Sequence, residues 1–137
     1  MSTNAQALLI RLFNDAPIAT TAGITLEFNA AREAVCRWTR KPELDHGGHD
    51  THGGVIAILL DTAGWFTAAA QSGHAVVTSD IHVRLLQPAK QRDLVATAHI
   101  VRLGAKSIVA EMKVSSGDDL IATATAAFAK VGELPTR

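Results

Sequence analysis

His52-Gly53-Gly54-Val55-Ile56-Ala57-Ile58-Leu59-Leu60-Asp61-Thr62-Ala63-Gly64-Trp65-Phe66-Thr67-Ala68-Ala69-Ala70-Gln71 is the stretch whose reading decides the fold. Wound as a helix, the run from Gly53 to Gln71 is apolar on every side except at one acid, Asp61. A helix of that kind belongs in a core, not on a surface. An ionised carboxylate placed there costs several kcal/mol unless something pairs with it. The positions three and four residues away hold Ala57, Ile58, Gly64 and Trp65, none of which can pair with an acid. Buried acids without a local partner concentrate at functional sites, which makes Asp61 the first candidate for chemistry. The plainer alternative is a structural carboxylate bonded to a strand backbone or to Thr78.

The bulk properties narrow the class. A chain of 137 residues fits one domain, 1–137, with enough length to bury a sizeable core. Apolar residues make up 47% and charged residues 19%, a globular composition. A net charge of zero argues against a nucleic-acid binder that relies on a broad basic face. The lone Cys36 rules out an internal disulfide and fits a reducing compartment. Met1 to Phe13 lacks a basic segment followed by a long apolar one, so no signal peptide is expected. The apolar helix is interrupted by Asp61 and is not expected to span a bilayer. A soluble cytoplasmic protein is the expectation.

Outward from the central helix the chain reads as follows. Leu8, Leu9, Leu12 and Phe13 recur at helical spacing over 3–13, and Asp15 and Pro17 end that segment. Ile24, Leu26 and Phe28 alternate with polar residues as in a half-buried strand, and Val35 to Thr39 forms a second. Lys41 to Thr51 is a loop. After the helix, Ala75 to Leu86, Leu94 to Leu103, Ser107 to Ser115 and Leu120 to Val131 read as strands separated by turn residues. The expectation is an α+β domain with its core over 20–131, the last four strands forming an antiparallel meander. One helix cannot bury its own far side, so a second subunit is expected to cover it.

The motif His52-Gly53-Gly54, four residues, then Leu59-Leu60-Asp61, followed by Thr78-Ser79-Asp80-Ile81-His82-Val83-Arg84-Leu85-Leu86-Gln87-Pro88-Ala89, resembles the hotdog-fold acyl-CoA thioesterases. It is most similar to the phenylacetate-degradation (PaaI-like) branch. That resemblance implies an antiparallel sheet wrapped around a long central helix, and a homodimer or homotetramer with sites at the dimer interface. It also implies hydrolysis of an acyl-CoA thioester with neither metal nor cofactor. By position, Asp61 is then the nucleophile or the base that activates water, and the Gly53 amide polarises the thioester carbonyl. Thr78, ten residues before Pro88, matches the Ser or Thr that relatives carry in the strand that follows. His46 stands where relatives carry Asn or Gln, a departure that touches the positioning of water.

The chemistry also follows from the residues. A tetrahedral intermediate carries an oxyanion, best stabilised by preorganised N–H donors such as those at a helix N-terminus. Gly53 and Gly54 offer such donors with no side chain in the way. Asp61 lies eight residues beyond Gly53, roughly 12 Å along a helix at about 1.5 Å per residue. A reacting carbonyl must sit within about 3 Å of both donor and nucleophile. One chain therefore cannot supply both groups, whereas two antiparallel helices across a dimer can.

Other residues invite competing readings. His46, His49 and His52, with Asp45 and Asp50, have donor types that suit zinc, but no regular element holds them and no metal is expected. Substrate contacts are assigned to His52, Gly54, Trp65, His82 and Arg84. Trp65 shares a helical face with Asp61, and the small residues Thr67 to Ala70 suggest room for an aryl or short-to-medium acyl group. Arg84, Lys90, Arg92, Arg102 and Lys106 are the cations available to CoA phosphates. Two alternatives remain: a hotdog enoyl-thioester hydratase, and a non-catalytic acyl-CoA-binding module.

Overall fold

The computed structural model describes residues 3–135. Helices α1 (Thr3–Asn14) and α2 (Pro17–Ala22) lead into strands β1 (Ile24–Phe28) and β2 (Ala34–Trp38). A 3-10 turn (Pro42–Leu44) precedes the central helix α3 (Gly53–Ser72), and β3 (His74–Leu85), β4 (Leu94–Leu103), β5 (Ser107–Ser116) and β6 (Asp119–Glu133) follow. Pro17 does more than stop α1. It starts α2, because a first-turn residue needs no N–H partner and proline already holds the helical φ.

All six strands form one antiparallel sheet in the order β1-β2-β4-β5-β6-β3. Only β4, β5 and β6 form a meander, which corrects the expected run of four. Helix α3 carries the chain under the sheet, so β3 emerges at the far edge beside β6 and β4 joins β2 instead. Gly73 makes the exit possible: it caps α3 in the left-handed region at φ 73°, where glycine has no Cβ to clash.

The inward side chains alternate along each strand and close on α3. Ala34, Cys36 and Trp38 of β2, Leu94 and Ala96 of β4, Ile108, Ala110 and Val114 of β5, and Phe128 of β6 are buried against it. Gly64 shows how close the approach is, since a Cβ there would meet Phe128 Cζ at 2.7 Å and Met112 Sδ at 3.0 Å. Thr67 to Ala70 are wholly buried against the sheet. Their small size thus lets helix and sheet meet closely and leaves no open room for an acyl group, contrary to the reading from sequence.

Two buried hydrogen bonds set the register of these layers. The Ala34 N–H donates to Thr67 Oγ1 at 2.9 Å, while that hydroxyl donates to the Ala63 carbonyl at 2.8 Å. Trp38 Nε1 donates to the Ala22 carbonyl at 2.7 Å and ties α2 to β2. Thr67→Val keeps the volume but strands the Ala34 N–H in the core. Such an orphan costs about 1–3 kcal/mol, expected as a lower urea midpoint with an unchanged m-value.

Candidate active site

Asp61 does not lie as deep as its flanking sequence suggests. Within one chain it is half-buried, on a stripe of α3 with Ala57, Ile58, Thr62 and Trp65 that this chain leaves uncovered. The sheet therefore encloses most of α3 but not all of it. By length and composition α3 could cross a membrane, yet most of it is buried inside this protein.

Thr78 Oγ1 donates a 2.7 Å hydrogen bond to Asp61 Oδ1. Among the described residues Oδ2 takes no such bond. The pairing depends on a β-bulge between Thr78 and Asp80, where the register against β6 slips by one residue. Before the bulge Val76 and Thr78 face α3; beyond it Val83 and Leu85 do, so the slip keeps both ends of β3 in contact with the helix.

The start of α3 is a capped helix end. His52 Nδ1 accepts from the Gly54 N–H at 2.8 Å, and the His52 carbonyl accepts from Val55 at 2.9 Å. The Gly53 N–H has no partner among the described residues. A Cβ on Gly53 would lie 2.7 Å from Leu85 Cδ1, so β3 comes right up to this amide. The helix thus offers one unpaired N–H and the positive end of its dipole. Gly53 and Asp61 remain separated along the helix, and no fold of a single chain brings them together.

Ahead of this helix, the loop from Asp45 to Thr51 closes on itself through an antiparallel bridge between its two ends. His46 is exposed and turned into the loop, its Nδ1 accepting from the Gly48 N–H at 2.9 Å. Asp50, weighed in the sequence only as a metal neighbour, accepts three backbone hydrogen bonds. Its Oδ1 accepts from the N–H groups of Thr51 at 2.8 Å and Gln91 at 2.9 Å, and its Oδ2 from that of Lys90 at 2.9 Å. Gln91 Nε2 adds a 2.7 Å bond to the His49 carbonyl. The only signal available in the sequence was the short side chain of an acid between two loops, too weak to act on.

The remaining assigned residues fall in two places. Trp65 sits half-buried on the Asp61 stripe and packs on Phe66 with ring centroids 4.7 Å apart. His82 and Arg84 point the other way, into a groove of about 930 Å³ on the outer face of the sheet with His99, Glu111 and Lys113. The structure does not bring them to Asp61. Among the proposed phosphate ligands, Arg92 is already committed to Asp119 at 2.7 Å and to the Ala89 carbonyl at 2.9 Å, while Lys90, Arg102 and Lys106 are exposed.

Fold and motif agree with known proteins. Residues 48–123 match the Thioesterase superfamily. VNG_1336C of Halobacterium salinarum, named provisionally as an esterase, is 32% identical over 123 residues, covering 85% of this chain and 81% of its own. The chain belongs to the thioesterase superfamily, a family of hydrolases with the hotdog fold. The E. coli PaaI protein from the phenylacetic acid degradation operon superposes with a TM-score of 0.87 at 24% identity, covering 96% of each chain. A Bacillus halodurans protein solved with CoA is 27% identical, with a TM-score of 0.77 over 96% of this chain and 88% of that one.

Asp50 also carries a pH signature. Partial burial, the largest single influence, pushes its carboxyl up, but the bonds from Gln91, Lys90 and Thr51 and the charge of His46 together hold it below the ordinary aspartate value. A depressed folded pKa gives stability that is present above the unfolded value of about 3.9 and lost as pH falls through the folded one. The hold of Asp50 on the Lys90 and Gln91 amides is therefore expected to be present at neutral pH and lost in acid, with the carboxyl titrating below the ordinary aspartate value when followed by side-chain carboxyl NMR from pH 7 to pH 2.

Proposed function

We propose that this protein hydrolyses an acyl-CoA thioester to free acid and CoA, with Asp61 as nucleophile or general base and the Gly53 amide of a second subunit as oxyanion donor. The observation that carries this reading is the pair formed by Asp61 and Thr78. A carboxylate held at one oxygen by a 2.7 Å bond keeps its other oxygen for chemistry, on a helix stripe the chain leaves uncovered. The likeness to a protein solved with CoA supports the substrate class.

A second copy supplies what one chain lacks. Strand β3 is a sheet edge, with Val77 48% and Leu85 53% exposed beside the uncovered stripe of α3. An edge this long is a template for pairing with another strand. Twofold pairing at that edge sets two α3 helices antiparallel and brings each Gly53 toward the other chain's Asp61. Ile58 and Trp65 then wall the acyl site, which suits an aryl or short-to-medium chain. Whether such dimers pair further into tetramers does not alter the chemistry.

In the mechanism, the thioester carbonyl lies against the Gly53 N–H and its oxygen gains negative charge as attack proceeds. Asp61 either attacks the carbonyl carbon, expelling CoA thiolate and leaving a mixed anhydride that water hydrolyses, or takes a proton from the water that attacks, after which the tetrahedral intermediate collapses with loss of CoA thiolate. In both routes the thiolate ends as CoA thiol by taking up a proton. Thr78 fixes the carboxylate rotamer. His52, whose Nδ1 is occupied as a helix cap, orients the helix start and is poorly placed to serve a hydratase as acid or base.

The test is thiol release from a panel of aryl- and alkyl-CoA substrates. Cys36 adds little background, because burial pushes its thiol up to about 12. Asp61→Asn and Asp61→Ala are expected to lower kcat by about a hundred- to ten-thousandfold. Gly53→Pro removes the N–H at a helix position that tolerates proline: His52 already holds the extended backbone proline demands of its predecessor, and the added Cβ requires only the exposed end of the Leu85 side chain to move aside. Mixing Asp61→Asn with Gly53→Pro chains rebuilds one whole site per mixed dimer, roughly a quarter of the parent rate for statistical exchange. Unchanged turnover in both Asp61 variants would sink the mechanism; no recovery on mixing would sink the shared site.

A further inference from the structure

The glycine-rich loop before α3 is the least supported part of the site by packing. His46, Gly47, Gly48 and His49 are all exposed and contribute nothing to the core. Yet the chain passes from this loop straight into His52 and Gly53, so the direction of the Gly53 N–H is set by where the loop is held. A donor displaced by about 1 Å can cost a hundredfold in rate.

Two anchors hold the loop to the rest of the molecule. At its start Asp45 is ion-paired with Arg40, and the His52 N–H donates to the Leu44 carbonyl at 3.1 Å. At its end the Asp50 carboxylate reaches the connection between β3 and β4 and gathers the Lys90 and Gln91 N–H groups, and the Gln91 side chain adds its bond to the His49 carbonyl. Both residues are in the left-handed region, with φ of 57° and 60°. Side-chain-bearing residues keep that conformation only where their surroundings fix it. Two successive amides turned in this way make a concave anion seat, and Asp50 fills it.

We propose that Asp50 is a positioning residue for catalysis: by seating its carboxylate on the Lys90 and Gln91 amides, it latches the loop that aims the Gly53 N–H at the thioester. This rests on the functional reading above. The latch joins two surface segments and not the core, so its loss disturbs the helix start and spares the sheet.

Asn at position 50 has one acceptor oxygen for three donors and turns an NH2 group toward at least one of them. Asp50→Asn and Asp50→Ala are therefore compared with the parent and with Arg37→Ala, which cuts only the exposed pair with Glu27. Amide hydrogen exchange over 46–55 is expected to quicken by about tenfold or more, with β5 and β6 unchanged. On the best acyl-CoA substrate, kcat is expected to fall about ten- to a hundredfold with KM within about threefold. Arg37→Ala should match the parent in both measurements. An unchanged kcat overturns the proposal, as does faster exchange spread through β4 to β6, which marks general destabilisation. A parent enzyme that hydrolyses no acyl-CoA removes the underlying functional reading, a failure visible before any variant is made.

Discussion

Helix α3 is apolar around nearly its whole circumference, and a single sheet can wrap only part of a cylinder. That mismatch organises the rest of the molecule. Six strands curl around the helix until Gly64 touches Phe128 and Met112, and α1 closes one end through the edge-on contact of Phe13 with Phe66 at 5.3 Å. What is left over is a stripe running from Ala57 to Trp65, with Asp61 at its centre. The residue least suited to an apolar helix stands on that stripe, where the sheet meets it through the hydroxyl of Thr78.

Apolar packing alone would hold α3 in the sheet without fixing its rotation. A few buried polar groups remove that freedom. Thr67 receives the Ala34 N–H and thereby locks one turn of α3 against β2. Thr78 reaches Asp61 from the opposite edge of the sheet, beside a bulge that changes which residues of β3 face inward. A rotation of α3 by one residue would break both bonds together. The hydrogen bonds thus convert hydrophobic burial, which is non-directional, into a defined orientation for one carboxylate.

The extent to which this was legible in the sequence follows from the range of each interaction. An apolar run located α3, alternation located β1, and strand-forming residues bounded by turns located β5 and β6, because each is a local signal. The pairing of β3 with β6 was not legible, since the choice between neighbouring β4 and crossing to a distant edge is made by the path of α3 beneath the sheet. The motif from His52 to Asp61 marked the helix and its acid, and Thr78 was found by its distance from Pro88. The anchoring role of Asp50 was not legible because its partners across the fold are backbone amides forty residues away, and an amide has no letter in a sequence. His82 and Arg84 were placed on one strand face correctly, but only the bulge at Thr78 decides which face that is.

On the proposed reading, assembly and reactivity are the same event. In a lone chain the Asp61 carboxylate is half in water and keeps much of its hydration. Covering the stripe with a second α3 removes that water and strengthens every electrostatic interaction within the site. The Gly53 N–H gains in the same step, because a helix terminus stabilises a developing oxyanion far more in a dry pocket than in solvent. A carboxylate buried within one chain would have charged its desolvation against folding. Left on an uncovered face, it defers that cost to an interface large enough to meet it, and reaches its reactive environment only where the oxyanion donor is also present.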